Sequence, residues 1–282
     1  MKYLVTGASG QLGHDVIIDL HKRGYHDVLG IGVEDLDLTI EEDVNNYLIE
    51  NKPDIIIHCA AYTAVDKAED NYDLCYEVNV LGTRYLTNAA RTLGAKILYI
   101  STDYVFDGSK DGFYEIDDQT NPLSVYGKTK LGGELEVQKY DKHFIVRTSW
   151  VFGKNGNNYV KTMLRLGKEK ESLNVVNDQI GSPTYTKDLS RLIVDLVLTD
   201  KYGIYHGTNE DICTWYEFTK EIFRIVGYTI PVNPITTEQY PTKAIRPRNS
   251  RLSKSKLTKN GFTLLPSWKN ALKEYLKEIE VI

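Results

Sequence analysis

Short, continuously apolar runs alternate with longer amphipathic ones through the first half of the chain. The runs at 3–6, 28–33, 54–59, 96–100 and 144–148 have strand length. Between them, 12–23, 39–50 and 71–93 repeat apolar positions at helical spacing. Strands that are apolar on both faces belong to a parallel sheet covered by helices. The rhythm therefore predicts an α/β fold with a Rossmann-like, doubly wound parallel sheet over residues 1–150. Thr39 with Glu42 three residues on reads as a capping box opening the second helix. After Val151 the rhythm loosens into Gly- and Asn-rich sequence and then Pro231, Pro234, Pro241 and Pro247. A smaller, loop-rich lobe is predicted over 151–282, with about 189–208 returning to the main sheet and a final helix over 268–279 capped by Ser267.

Composition narrows the partners. The 282 residues are 41% hydrophobic and carry a formal net charge of -5. Without a basic surplus, nucleic acid is a poor partner, and an anionic ligand must be held locally by helix N-termini or a few arginines. No run resembles a signal peptide or a membrane span. Cys59, Cys75 and Cys213 lie far apart and form no CxxC pair. They predict buried thiols in a reducing compartment, hence the cytoplasm, and no metal ligand set.

Thr6-Gly7-Ala8-Ser9-Gly10-Gln11-Leu12-Gly13 stands between the first strand and the first helix. Gly7 permits a tight turn, Gly10 lets backbone approach a pyrophosphate, and Gly13 lets helix and strand pack closely. Free N–H groups of the helix, including those at Gln11 and Leu12, would then hold the anion. Ala60, Ala61 and Tyr62 follow the third buried strand, where small residues let a dinucleotide lie against backbone. A 1–150 dinucleotide-binding domain with a mainly substrate-binding 151–282 lobe follows. At the end of the second strand stands Gly32, followed by Glu34 and Asp35, with no Lys or Arg between Val28 and Ile40. Nothing local would clamp a 2′-phosphate, which leans toward NADH and leaves NADPH open.

Tyr126 and Lys130 are four apart, on one face of a helix. A free phenol titrates near pH ~10, and a nearby ammonium lowers that value. The pair could therefore act as a general acid/base in carbonyl–alcohol chemistry, with Lys130 also reaching the nicotinamide ribose.

The GxxGxxG spacing with this Tyr-Lys pair resembles the short-chain dehydrogenase/reductase superfamily. That resemblance implies a carbonyl-oxygen role for Thr102, an adenine pocket at Asp37-Leu38, and a helix asparagine at Asn79. Asp37 reads equally well as a turn aspartate before Thr39, and Asn79 as a buried residue satisfying backbone.

Further runs narrow the likeness: 58–69, Ser101 to Phe106, Val125 to Lys130, Arg147-Thr148-Ser149-Trp150-Val151-Phe152, Asp178 to Thr184, and Arg246-Pro247-Arg248-Asn249-Ser250-Arg251-Leu252. In this order they are similar to the dTDP-4-dehydrorhamnose reductase family. That likeness implies reduction of the 4-keto group of a dTDP-linked 6-deoxyhexulose, with Tyr126 protonating the oxygen that Thr102 polarises. It also implies that Thr63, Val65, Asp103, Tyr104 and Trp150 line the sugar pocket, with Asn158 in the substrate lobe. Arg246, Arg248 and Arg251 would meet the diphosphate, since guanidinium forks suit phosphate. Some relatives use magnesium at a homodimer contact through glutamates that this sequence does not match.

Other readings stay open. A 4,6-dehydratase would carry a second acid after Asp103, where this chain has Tyr104. An epimerase, another nucleotide-sugar reductase, or a non-catalytic subunit like the regulatory subunit of methionine adenosyltransferase would share the fold.

Overall fold

The computed structural model describes all 282 residues. Its strands β1 (Tyr3–Thr6), β2 (Val28–Ile31), β3 (Ile55–His58), β4 (Lys96–Thr102) and β5 (His143–Thr148) form one sheet with Gly203–His206 at its far edge. All neighbours are parallel, and Gly203–His206 pairs with β5. Successive strands fill the β1–β2 side first and then continue outward from β3. The chain therefore reverses direction beside β1, and the crevice at the strand ends there is where an open α/β sheet binds ligands.

Each face of the sheet is covered because each strand is apolar on both sides. Helices α1 (Gln11–Lys22) and α8 (Thr186–Val197) pack with Tyr3, Val5, Ile57 and Leu98 on one face. On the other face, α2 (Glu41–Asn51) and α5 (Gly82–Leu93) pack with Leu4, Ile56, Ile97 and Tyr99. The short helices α3 (Val65–Ala68) and α4 (Tyr72–Tyr76) lie between α2 and α5 in sequence, and α6 (Val125–Val137) and α7 (Tyr159–Glu169) follow α5. A separate core around Phe152, Phe218 and Tyr275 organises the second lobe. No helix is long and apolar enough to cross a membrane.

Three local expectations are corrected. The second helix begins at Glu41 with no side-chain cap, because the Thr39 hydroxyl donates to Asp37 at 2.8 Å instead of reaching back to the helix. The helix expected over 71–93 is interrupted by a π-helical turn at Glu77–Leu81. The apolar stretch 189–198 is mostly helix, in α8, and only Gly203–His206 enters the sheet as a strand. A one-sided apolar stripe and a short buried strand look alike over so few residues. The last helix, Trp268–Glu278, does take Ser267 as its cap.

Candidate active site

The glycine turn is built by close approaches. Gly7 sits at φ 68°, and a Cβ there would meet the backbone N of Ala60 at 2.8 Å. A Cβ on Gly13 would meet the Gly7 carbonyl oxygen at 2.2 Å. At Gly10 the only near atom is the Gly7 oxygen at 3.1 Å, so its outer side faces open space. Crowding behind and openness in front make a cradle for an anion at the start of α1. Substituting Gly13→Ala is expected to push α1 off the turn and weaken NADH binding about ten- to a hundredfold. A fluorescence titration would measure this, with circular dichroism checking that the fold is kept.

From this turn a cleft of about 720 Å³ runs along the strand ends, within the usual size of a ligand site. Gly7, Gly10, Gln11, Leu12 and Gly13 line its floor, with Asp37, Leu38, Ala60 and Ala61 along one wall. Thr63, Val65, Thr102, Asp103, Tyr104 and Trp150 line the far end, beside Tyr126 and Lys130. Thr102 is the last residue of β4, and Tyr126 and Lys130 occupy the first turns of α6, which Ser124 caps through the Gly127 N–H at 3.1 Å. Gly127 has no room for a Cβ, which would lie 2.3 Å from the Tyr104 carbonyl oxygen. The start of α6 therefore presses directly on the segment after Thr102.

Burial sets the electrostatics here. It pushes the Tyr126 phenol well above its ordinary range; nearby Asp103 adds to this, while the Thr102 hydroxyl opposes it. The ammonium effect anticipated for Lys130 is not what dominates. Lys130 is itself pushed down to about 7 by burial, although Glu134 opposes the shift. Its Nζ lies 4.0 Å from the centre of the Tyr99 ring. Burial raises Asp103 to about 6, against hydrogen bonds from Ser250 and Thr102. Thr102 donates to Asp103 at 2.9 Å, and Ser250, from the second lobe, donates to its other oxygen. A protonated phenol beside a lysine that titrates near neutrality can give a proton to an oxygen held at the end of β4.

Other expected site residues lie around the cleft without lining it. Asn79, in the π-helical turn, accepts the Tyr62 N–H at 2.8 Å and donates to Thr129 at 3.1 Å, which pins the 60–62 wall to α6. Asn158 caps α7 and donates to Gln11 at 3.1 Å and to the Tyr275 hydroxyl at 3.0 Å, which ties the second lobe to the glycine turn, while Asn157 lines the cleft. None of Arg246, Arg248 or Arg251 lines this cleft. Arg246 is forked on Asp66, Arg248 pairs with Glu238 at the surface, and Arg251 donates to Asn249 at 2.8 Å. Local acids and an amide take one or two donors of each guanidinium, and the sequence run alone could not show it.

Several side chains that matter here were not singled out from the sequence. Trp215 stacks at 3.7 Å on the expected Trp150, which holds an unusual φ of 51° and lies over Gly181. Ser250 reaches Asp103 from far along the chain. Glu134 and Arg147 form a buried pair behind the cleft at 2.7 Å. Glu134 sits four residues after Lys130, a signal that helical spacing offered. Its partner Arg147 is placed by β5, which only the fold reveals. No group of three or more His, Cys, Asp or Glu side chains is placed to hold a metal ion.

A parallel sheet with a glycine turn after its first strand, and a Thr–Tyr–Lys set at the end of β4 and the start of α6, defines the class: a Rossmann-type protein of the short-chain dehydrogenase/reductase kind. The chain belongs to the family described as RmlD substrate binding domain, whose model matches residues 1–281. It is 44% identical over 286 residues to a dTDP-4-dehydrorhamnose reductase of Aggregatibacter actinomycetemcomitans, covering 96% of this chain and 97% of that one. A crystal structure of a dTDP-4-dehydrorhamnose reductase from Clostridium acetobutylicum matches with TM-score 0.97 and 45% identity, over 99% of this chain and 100% of that one. Another from Bacillus anthracis, in complex with NADP, matches with TM-score 0.95 and 44% identity, over 99% and 100%.

Proposed function

We propose that the chain reduces the 4-keto group of dTDP-4-dehydro-L-rhamnose to give dTDP-L-rhamnose, at the expense of NADH or NADPH. The single observation that carries this reading is the placement of Thr102, Tyr126 and Lys130 together at one end of a cleft whose other end is the glycine cradle. The nearly full-length relatives named for this reaction support it.

The nicotinamide cofactor supplies a hydride when bound, and the crowded, open-fronted glycine turn fits its pyrophosphate. Thr102 turns its hydroxyl from Asp103 to the substrate carbonyl oxygen and holds it. Tyr126, kept protonated by burial, gives that oxygen its proton. Lys130 orients the phenol and the nicotinamide ribose. Trp150, fixed by Trp215 behind it, forms the wall against which the sugar lies. The two-domain division follows from the same assignment: residues 1–150 hold the dinucleotide, and most of 151–282 holds the substrate.

NADH is the proposed preference. Around the end of β2 the cleft is lined by Gly32, Val33 and Asp37, and Lys130 is the only basic residue that lines any part of it. Asp35 accepts the Gly32 N–H at 2.8 Å, and the Glu34 carboxylate lies over Gly32. Acids there repel a 2′-phosphate.

Incubating the protein with the dTDP-4-keto sugar is expected to oxidise one reduced nucleotide per sugar, with a lower KM for NADH than for NADPH. A dehydratase or epimerase would leave the nucleotide pool unchanged. Absence of net oxidation with this sugar and with other nucleotide-linked 4-keto-6-deoxy sugars would overturn the reading.

A further inference from the structure

Behind the cleft lies a charged pair with almost no access to water: Glu134 is 0% exposed and Arg147 is 3% exposed. Arg147 donates through Nε at 2.9 Å and a terminal nitrogen at 2.7 Å to the two Glu134 oxygens, and Ser101 donates to Glu134 at 2.5 Å. Its remaining terminal nitrogen donates to the Ile116 carbonyl at 3.1 Å, and the guanidinium lies over the Phe106 ring. Buried pairs of this kind are poor stabilisers compared with apolar side chains of the same size. The position of this one gives it another use. The pair and Ser101 come from the three elements that line the reactive end of the cleft. Ser101 precedes Thr102 on β4, Arg147 precedes Thr148 on β5, and Glu134 stands one helical turn beyond Lys130 on α6.

The groups facing Lys130 can be named from every side. His58 and Cys59 come from the end of β3 and the residue after it, Cys75 from α4, Tyr99 from β4, and Glu134 from α6. Burial keeps His58 neutral, pushed down to about 3, and keeps Cys59 protonated, pushed up to about 12. Cys75 and Tyr99 are raised as well. That leaves Glu134, whose oxygens are fully engaged by a guanidinium fork and a hydroxyl, as the one facing group built as an anion. We propose that Glu134, clamped by Arg147 and Ser101, is a positioning residue: it fixes α6 against the Thr102 end of β4 and sets a carboxylate one helical turn from Lys130. The residue does not line the cleft, so it acts through Lys130 and not on substrate. This rests on the reading of Lys130 as the group that orients phenol and ribose.

The test compares the wild-type full chain with Glu134→Gln, Glu134→Asp, and the double variant Glu134→Leu/Arg147→Met, which removes the charge without stranding its partner. Competitive labelling with acetic anhydride across pH, read at Lys130 by mass spectrometry, follows that amine with no substrate or cofactor present. Its titration midpoint is expected to move at least about one pH unit lower in Glu134→Gln and in the double variant. Glu134→Asp should restore much of it. In turnover, the alkaline fall of kcat should move by the same amount, so that kcat at pH 8 drops about tenfold while activity at pH 6 and the sugar KM stay near wild type. An unmoved Lys130 titration in the folded double variant would overturn the proposal. Failure of the wild type to turn over any keto sugar would count against the proposed reaction alone, because the labelling arm still decides the role of Glu134.

Discussion

Replacing Tyr126 with Phe is expected to leave dinucleotide binding intact and to lower kcat by about 10²–10⁴-fold. The ring keeps its place, edge-on to Tyr104 with centres 5.5 Å apart, because that packing needs no hydroxyl. The glycine cradle is at the other end of the cleft and is untouched. What disappears is the proton. In the reducing direction the donor must be a neutral phenol, and burial holds Tyr126 in that form throughout the working pH range. The pH dependence should then come from other groups. Lys130 is pushed down to about 7, so wild-type activity should decline as pH rises through neutrality and the ammonium is lost. NADH titration by fluorescence separates binding from turnover at 340 nm (a standard assay wavelength). A variant with wild-type turnover would remove Tyr126 as proton donor and leave Asp103, raised to about 6, as the next group to test.

Arg147→Met is expected to cost about 3–5 kcal/mol of stability, the largest single loss anticipated outside the chemistry itself. The substitution leaves Glu134 buried with only Ser101 as partner and also frees the Ile116 carbonyl that Arg147 serves. The apolar stem still packs near Phe106, so lost volume is a minor part of the effect. Calorimetry or thermal circular dichroism should show a fall in Tm of roughly 10 °C for a chain of this length. Glu134→Leu/Arg147→Met should recover most of the loss, since no charge is then stranded. A single variant as stable as wild type would show that water or another cation reaches Glu134.

Apolar periodicity and glycine spacing determined much by themselves. Strands apolar on both faces have no stable arrangement except a covered parallel sheet, and a turn demanding Gly7 and Gly13 after the first of them places the cradle at the start of α1. Helical spacing puts Tyr126 and Lys130 on one face. These are short-range consequences of backbone geometry, legible from neighbouring residues. Only the tertiary structure decided what surrounds them. Ser250 meets Asp103 across 147 positions, Asn158 meets Gln11 across 147, and Arg147 faces Glu134 from another strand. The phenol's titration went against the local expectation for the same reason. A neighbouring ammonium can be read from spacing, but loss of water is set by everything that packs around the group. Arg246 likewise meets Asp66 across 180 positions, a pairing that no local pattern encodes.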